Sequence, residues 1–480
     1  DSIKNYLELT GQVEGGRKIS SNTEASGRFH TDWLNMMYPR LKVAKGLLHP
    51  AGAIFVSCDD NELSRLLFAM DEVFGEENSV APVIWQRSKK GDSKLIAVVH
   101  EYLVCYVRDK GTVLGQGVWR RPKEGAAEVL AKYAELRQSL LGTDHEAVRT
   151  AMMDWYRQLP EDDPRKAHKH YNWSDDRGLY FAADFAGPDD GRESRPRHDI
   201  FHPVTGRPCK KPSTGWRWDP EKTSWALAQV PPRIHFGPDE TTIPNRKSYL
   251  FEIDSEPYSS VFYRDGRSAT LEVEALVGKG WFPFPKNTDV LSELVELVTE
   301  PDDIILDFFA GSASTGHAVM KVNAAHNSTR RFVMVQLPEP TGRDEYKTIA
   351  DIAKKRLREA GKRVVAGQQG VDVGFRVFKL DSSNIRAWEP DRDDLPKTLL
   401  ESVEHLKTDR TEADILYELL LKLRLDLCVP IEQKKIAGKA VHSIGGGVLL
   451  VCLSESIVRE DVEPLAMGII AWHKEQAPAG

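Results

Sequence analysis

The sequence has no CxxC pair, no uninterrupted apolar run of roughly eighteen residues, and no basic stretch leading into an apolar one at its start. The first absence removes zinc ribbons and thioredoxin-like redox sites. The five cysteines, Cys58, Cys105, Cys209, Cys428 and Cys452, stand apart and suggest no disulfide framework. The second absence excludes a membrane-spanning helix, and the third a secretory signal within 1–10. A cytoplasmic, reducing location fits this usage. A metal site is not expected either: His168 and His170 lie close together, but no cysteine or carboxylate set accompanies them. The net charge of −7 argues against a chain that coats nucleic acid with its whole surface, while leaving room for a local basic groove. With 41% hydrophobic and 29% charged residues, the 480-residue chain reads as soluble and globular, and its length suggests two to four domains.

What is present is an interrupted α/β pattern. Leu34, Met37, Tyr38, Leu41, Ala44 and Leu48 recur at three- and four-residue spacing and predict a helix over 31–48. The apolar run at 53–57 predicts a buried strand, and Asp59-Asp60-Asn61-Glu62 a cap for a helix that reaches Phe74 and stops at Gly75. Strands are expected at 83–85 and 102–107. The texture then changes. Two helices are expected within 123–158, followed by a stretch over 160–270 rich in Pro, Gly, Trp and charge, which reads as an inserted domain with long loops. Order returns with a helix at 291–298, a strand at 304–306, a helix at 315–322, a strand at 332–335 and a basic helix at 346–360. After Gly374 a separate α/β tail begins. Its best element is a helix over 413–425 with Ile415, Leu416, Leu419, Leu420 and Leu423 on one face, a face that burial within its own domain explains better than a dimer contact. No internal repeat is present. The flanking α/β halves, 1–110 and 275–365, are expected to form one sheet containing both Ile54 and Ile304.

The segment Ile304-Ile305-Leu306-Asp307-Phe308-Phe309-Ala310-Gly311-Ser312-Ala313-Ser314-Thr315-Gly316 carries the chemistry. It reads as a strand, a small-residue turn and a helix start, where backbone can approach a ligand closely and unpaired N–H groups are on offer. A dinucleotide fold wants GxGxxG, but Gly311 and Gly316 have four residues between them. A phosphate loop wants GxxxxGK[ST], but His317 stands at the lysine position. A third reading, the S-adenosylmethionine turn DxFxGSG, matches Asp307 to Ala313 except that Ala313 replaces the last glycine. That cofactor has no phosphate to neutralise, and its ammonium and sulfonium favour a carboxylate such as Asp307. Ala313 is compatible with the turn if its φ is negative. Gln336, at the end of the next strand, opens onto the same sheet edge, where it either bonds the ribose or belongs to a surface turn.

Phe282-Pro283-Phe284-Pro285-Lys286, the Asp307 turn and Gln336-Leu337-Pro338-Glu339 resemble the cofactor half of the β-class amino-methyltransferases. Asp32 to Leu41, Ser57 to Glu62, Trp85-Gln86, His100-Glu101-Tyr102, His202 to Lys210 and Gly215 to Trp218 resemble segments of the modification subunits of Type III restriction-modification systems. The resemblance spans roughly 30–450 and implies a Rossmann-like methyltransferase sheet split by a target-recognition insert. The domains it implies are a catalytic half at 1–110, the insert at 111–274, a cofactor half at 275–370 and a C-terminal α/β domain at 371–480. It implies an adenine-N6 DNA methyltransferase that uses S-adenosylmethionine, works on double-stranded DNA as a homodimer, and associates with an ATP-dependent restriction subunit. The cofactor residues it implies are Phe284, Lys286, Asp307, Phe308, Phe309, Ala310, Gly311, Ser312, Ala313, Ser314 and Gln336. The family's Asp-Pro-Pro-Tyr, whose acceptors hold the adenine amine and whose aromatic ring stacks on the flipped base, is absent, so no catalytic residue is assigned. The chain reads as truncated at its N-terminus. A catalytically silent DNA- and partner-binding module on the same scaffold is the alternative.

Within the insert, eleven bases face six acids from Gly191 to Lys247, with Trp216, Trp218, Trp225 and Phe236 interleaved. Basic and aromatic texture suits phosphate contact and wedging beside a displaced base, or else a solvated loop domain around a small tryptophan core. Arg195, Arg197, Lys210, Lys211, Trp216, Arg217, Arg246 and Lys247 are the candidate DNA contacts.

Overall fold

The computed structural model describes residues 13–14, 17–18, 29–89, 94–140, 144–191, 195–367, 370–386, 394 and 406–476. Contacts divide the chain into two units, Asp1–Val373 and Gly374–Gly480.

In the first unit, α1 (Phe29–Leu47) buries Met37, Leu41 and Ala44, three members of the predicted stripe. Strand β1 (Ala53–Cys58) follows, then α2 (Leu63–Phe74), whose Leu66, Ala69, Met70, Val73 and Phe74 join the same core. Helix α2 stops at Gly75, where φ is +93° and a Cβ would collide with the Glu77 side chain. The expected cap works differently. Glu62 occupies the cap position without a side-chain hydrogen bond to the helix N–H groups, while Asp59 accepts from the Asn61 N–H at 3.1 Å in a local turn. Strands β2 (Ser79–Gln86) and β3 (His100–Val107) pair antiparallel, and β3 pairs antiparallel with β1. Residues Leu103 to Val107 are all buried because both faces of β3 are covered. Val104 and Tyr106 meet the α1/α2 core, and Leu103 meets a second cluster with Val290 and Leu294.

The insert builds its own cores. Helices α3 (Ala126–Ser139) and α4 (His145–Gln158) enclose Val129, Tyr133, Val148, Met152 and Tyr156 together with Leu179 of β4 (Leu179–Ala183). A second cluster of Phe185, Ile200, Trp216 and Ile234 includes Ala226 of α5 (Pro220–Ala228). Strand β5 (Asn245–Tyr249) pairs with β4 in a four-stranded antiparallel sheet flanked by Trp173–Ser174 and Ile234–His235.

The chain then returns. Strand β6 (Val261–Tyr263) adds parallel to β2, giving the order β6-β2-β3-β1. Helices α6 (Gly266–Val277) and α7 (Thr288–Val298) lead to β7 (Ile304–Asp307), α8 (Ser314–His326), β8 (Arg331–Met334) and α9 (Ile349–Gly367). Strands β7 and β8 pair in parallel, Ile304 opposite Arg331 and Asp307 opposite Met334. One face of this pair, Ile305 and Phe332, rests on Val295, Val319 and Val322. The opposite face, Ile304, Leu306, Val333 and Val335, is open, although parallel strands are ordinarily covered on both sides.

The expectation of one continuous sheet is corrected here. Ile54 lies in the four-stranded sheet and Ile304 in the two-stranded one. Among the described residues no strand hydrogen-bonds the outer edge of β1 or of β7, so the ladder is not continuous between them. Side chains make the connection instead: Phe308 and Phe309, directly after β7, pack against the α1/α2 core.

In the second unit, α10 (Glu412–Lys422) starts on a capping box in which Thr411 and Asp414 satisfy each other's backbone N–H groups. Strands β9 (Ile431–Ile436), β10 (Lys439–Ile444) and β11 (Leu449–Cys452) form an antiparallel sheet, followed by α11 (Arg459–Gln476). Leu416 and Leu420 bury against Ile444 and the partly buried Leu449 and Val451. The apolar face of α10 is therefore used inside its own unit, at roughly 1.5–3 kcal/mol per buried leucine.

Candidate functional site

The turn between β7 and α8 is held from four directions. The Asp307 carboxylate accepts from the Phe309 backbone N–H at 3.0 Å and from the Thr315 hydroxyl at 2.6 Å, which closes the turn on itself. The Gln336 side-chain carbonyl accepts from the Gly311 N–H at 2.7 Å, and the Ala310 N–H donates to the Val335 carbonyl at 3.1 Å. Gln336 thus braces the turn from β8 and is not free for a ribose in this arrangement. Phe308 and Phe309 anchor the turn to the α1/α2 core, with the Arg40 guanidinium 6.0 Å from the Phe309 ring centroid. Ser312 and Ser314 are buried, and their hydroxyls accept from Arg356 of α9 at 2.7 and 2.6 Å.

Two residues of the turn are left-handed. Gly311 has φ +52°, and a Cβ there would meet the Phe282 ring at 3.2 Å. Ala313 has φ +61° and ψ +41°, fully buried at the start of α8. The condition of a negative φ at Ala313 fails. The backbone keeps the glycine geometry, at a cost of roughly 1–2 kcal/mol for an L-residue. The helix start has no side-chain cap, so no side chain at the Ala313 position satisfies the first-turn N–H groups.

Phe284 also has a left-handed backbone, φ +52°, and its ring is 79% exposed. Lys286 sits elsewhere than expected. Its ammonium donates to Glu101 of β3 at 2.7 Å, and Glu101, itself buried, also pairs with Arg87 at 3.2 Å. Lys286 therefore ties the returning segment to β3 across the insert, and this pairing accounts for its charge. Close by, the Cys58 thiol is pushed up to about 12, by burial first and then by the Asp59 carboxylate. It is no nucleophile at neutral pH. Tyr102 bridges His100, at 2.9 Å, and Asp60, at 3.0 Å, at the end of the same sheet.

The insert corrects three of the eight candidate DNA contacts. Trp216 is fully buried among Phe185, Ile200 and Ile234, and its indole N–H donates to the His198 carbonyl at 2.8 Å, so no face is free to wedge. Lys247 is nearly buried against Asp175 at 2.7 Å, a carboxylate that also accepts from Tyr249 at 2.8 Å. Arg195 pairs with Asp190 at 2.7 Å and underlies the Gly187 backbone. Arg197, Lys210, Lys211 and Arg217 are exposed and Arg246 is half-buried. Burial and the neighbouring Arg217 charge lower the Arg246 pKa, which marks these two cations as close together. Arg192 and Glu193, part of the charge pattern, lie outside the described residues. Among the described residues no group of three or more metal-ligating side chains occurs, and no helix is long and apolar enough to cross a membrane.

Residues 15–355 match the profile of the N6/N4-type DNA methylases, a span that contains the Asp307 turn, the insert and both flanking α/β halves. This chain belongs to that DNA methylase family. The cofactor of the family is S-adenosylmethionine. The methylase chain is 32% identical over 389 residues to the Type III restriction-modification enzyme EcoP15I Mod subunit of Escherichia coli, covering 78% of this chain and 57% of that one. It is 26% identical over 362 residues to the StyLTI Mod subunit of Salmonella typhimurium, covering 73% of this chain and 48% of that one. The methylase chain spans about half the length of these curated relatives. Among solved structures it resembles the cytosine-N4-specific PvuII DNA methyltransferase at a TM-score of 0.31 and 11% identity, covering 73% of this chain and 82% of that one.

Sequence reasoning gave no role to three residues that brace the turn and its surroundings: Glu101, noted only within the His100-Glu101-Tyr102 segment, Glu272 and Arg356. Each meets its partner from a distant segment, Arg356 reaching Ser312 across 44 residues and Glu101 reaching Lys286 across 185.

Proposed function

We propose that this chain works as a Mod-type DNA methyltransferase directed at adenine N6, with S-adenosylmethionine held at the Asp307–Ser314 turn. The observation that carries this reading is the turn itself, in which Gly311 and Ala313 are left-handed, Asp307 is locked to the start of α8, and an exposed aromatic ring, Phe284, stands on the preceding segment. The residues fit a cofactor that presents an ammonium and a sulfonium and no phosphate. Asp307 supplies the negative charge, the turn itself carries no lysine or arginine, and Lys286 is committed to Glu101. Bound there, the cofactor supplies an electrophilic methyl group. The chain's contribution is to fix the turn through Asp307, Thr315 and Gln336, and to offer the Phe284 face for stacking of a flat ring.

The 480 residues contain no Asp-Pro-Pro-Tyr, so within them nothing is assigned to localise the adenine lone pair. The chain is therefore expected to bind cofactor and DNA without methylating DNA. Duplex DNA is met by Arg197, Lys210, Lys211, Arg217 and Arg246. The partners of this reading are a second copy of the chain and an ATP-dependent restriction subunit. A groove between α1 and α2 supports the second copy. Exposed Phe68 stands there beside Leu34 and Tyr38, with Arg65 and Glu72 three and four residues to either side of it. A two-fold axis across α2 brings each Arg65 opposite Glu72 of the second copy, the self-complementarity an isologous contact requires.

The test uses radiolabelled S-adenosylmethionine with mixed-sequence duplex, alongside calorimetry of cofactor binding. Binding heat with no label in DNA is the expected result. Sustained turnover would show that another acceptor pair holds the amine, and absence of binding heat would remove the cofactor assignment.

A further inference from the structure

Arg356 is the most completely buried charge among the described residues, with no exposed surface. One guanidinium nitrogen donates to both Ser312 Oγ and Ser314 Oγ, at 2.7 and 2.6 Å. The other donates to Glu272 Oε2 at 3.1 Å, and Nε has no partner. A buried ion pair with an unsatisfied donor is a poor source of stability, because desolvation consumes most of the Coulombic gain. Its value lies in what it orders. The two serines flank Ala313, the residue held left-handed against its preference. A single nitrogen gripping both hydroxyls fixes the path of the backbone across that residue.

Glu272 on α6 completes the clamp. Its other oxygen accepts from Thr288 Oγ1 of α7 at 2.6 Å, so the carboxylate is oriented before it meets Arg356. Arg356 remains charged at neutral pH, although burial lowers it to about 10. His317, 3.9 Å from Glu272, is held down to about 3 by burial and then by the Arg356 charge, so it stays neutral and does not compete for the carboxylate.

We propose that Arg356, oriented by Glu272, is a positioning residue that holds the cofactor turn in its binding conformation through the hydroxyls of Ser312 and Ser314. This rests on the S-adenosylmethionine reading of that turn. Cofactor contact itself belongs to the turn; Arg356 acts from behind it.

The test compares the full chain with Arg356→Met, Arg356→Lys and the double variant Ser312→Ala/Ser314→Ala. Three quantities are measured: S-adenosylmethionine affinity by calorimetry, melting temperature, and amide hydrogen exchange at residues 311–315 in the ligand-free chain. Arg356→Met is expected to weaken affinity at least tenfold and to speed exchange at least tenfold. Arg356→Lys, which keeps a donor toward Glu272, is expected to recover part of both. The serine double variant leaves the Arg356–Glu272 pair intact. It is expected to lose affinity and protection while its melting temperature stays within a degree or two of the parent, which a purely structural role would not produce. Affinity and exchange unchanged within twofold in both Arg356→Met and the double variant would overturn the proposal. If the parent chain binds no S-adenosylmethionine, the cofactor reading fails on its own. The exchange measurement then still decides whether Arg356 sets the turn.

Discussion

Replacing Asp307 by alanine tests the turn most directly. The carboxylate closes two hydrogen bonds, to the Phe309 N–H at 3.0 Å and the Thr315 hydroxyl at 2.6 Å, from a half-buried position. Hydrogen bonds to a charged acceptor contribute roughly 1.5–3 kcal/mol each when shielded, and less where water replaces the lost partner. With one donor near solvent, the loss falls at about 1–3 kcal/mol, or roughly 5- to 150-fold in the Kd for S-adenosylmethionine. Asp307→Asn keeps one carbonyl acceptor and loses the charge, and Thr315→Val removes one donor only. Both should fall between the parent and Asp307→Ala. Calorimetric titration at fixed ionic strength reads the series, with melting curves to confirm that each variant is folded. An Asp307→Ala chain that binds with parental affinity would refute the argument, as would a series in which Thr315→Val is the weakest binder.

The second unit gives a pH-dependent expectation. Glu418 accepts from Ser383, the Asn384 N–H and Lys422, and these hold its carboxyl down to about 2 from an ordinary 4.5. A group whose folded pKa is depressed contributes fully above its unfolded pKa and loses that contribution as pH falls through the folded one. Glu418→Gln should therefore lower the melting temperature of this unit near about pH 6 and converge on the parent near about pH 2; a constant difference across that window would contradict it. For the groove between α1 and α2, Phe68→Asp places a charge at the centre of the two-fold contact. Light scattering should show a dimer in the parent chain and a monomer in the variant, and a parent that is monomeric at tens of micromolar would dispose of that contact.

Much of the core was legible because it is periodic. The stripe Met37, Leu41, Ala44 read directly as a helix face and the run Leu103 to Val107 as a strand, both buried in the structure, and the Asp307 turn announced itself by small residues between a strand and a helix. What periodicity does not encode was missed. Trp216 read either as a DNA-facing aromatic, because basic residues surround it in sequence, or as part of a small tryptophan core, and its side chain fills the insert's second core. Lys286 looked like part of the cofactor motif, but its partner Glu101 lies on the far side of the insert in sequence. Helix α6 went unread because Ala269, Val273, Leu276 and Val277 mark only a short apolar stripe, and with it went Glu272. The sign of φ at Ala313 depends on the whole turn, so composition did not reveal it. The separation of the strands at Ile54 and Ile304 into two sheets is likewise a matter of hydrogen-bond partners, which local pattern does not specify.

The ion pair between Glu101 and Lys286 also constrains when this protein can fold. The two residues are 185 positions apart, and β6 pairs with β2 across a similar gap. On a ribosome adding roughly 5–20 residues per second, Lys286 emerges some 10–40 s after Glu101. Throughout that interval the three strands β1 to β3, with Trp85 and Leu103 not yet covered by Val290, Leu294 and Phe262, present one bare face. The insert, with its own cores, has time to fold first. Nascent chains stalled between 250 and 290 should accordingly be the ones that recruit chaperones.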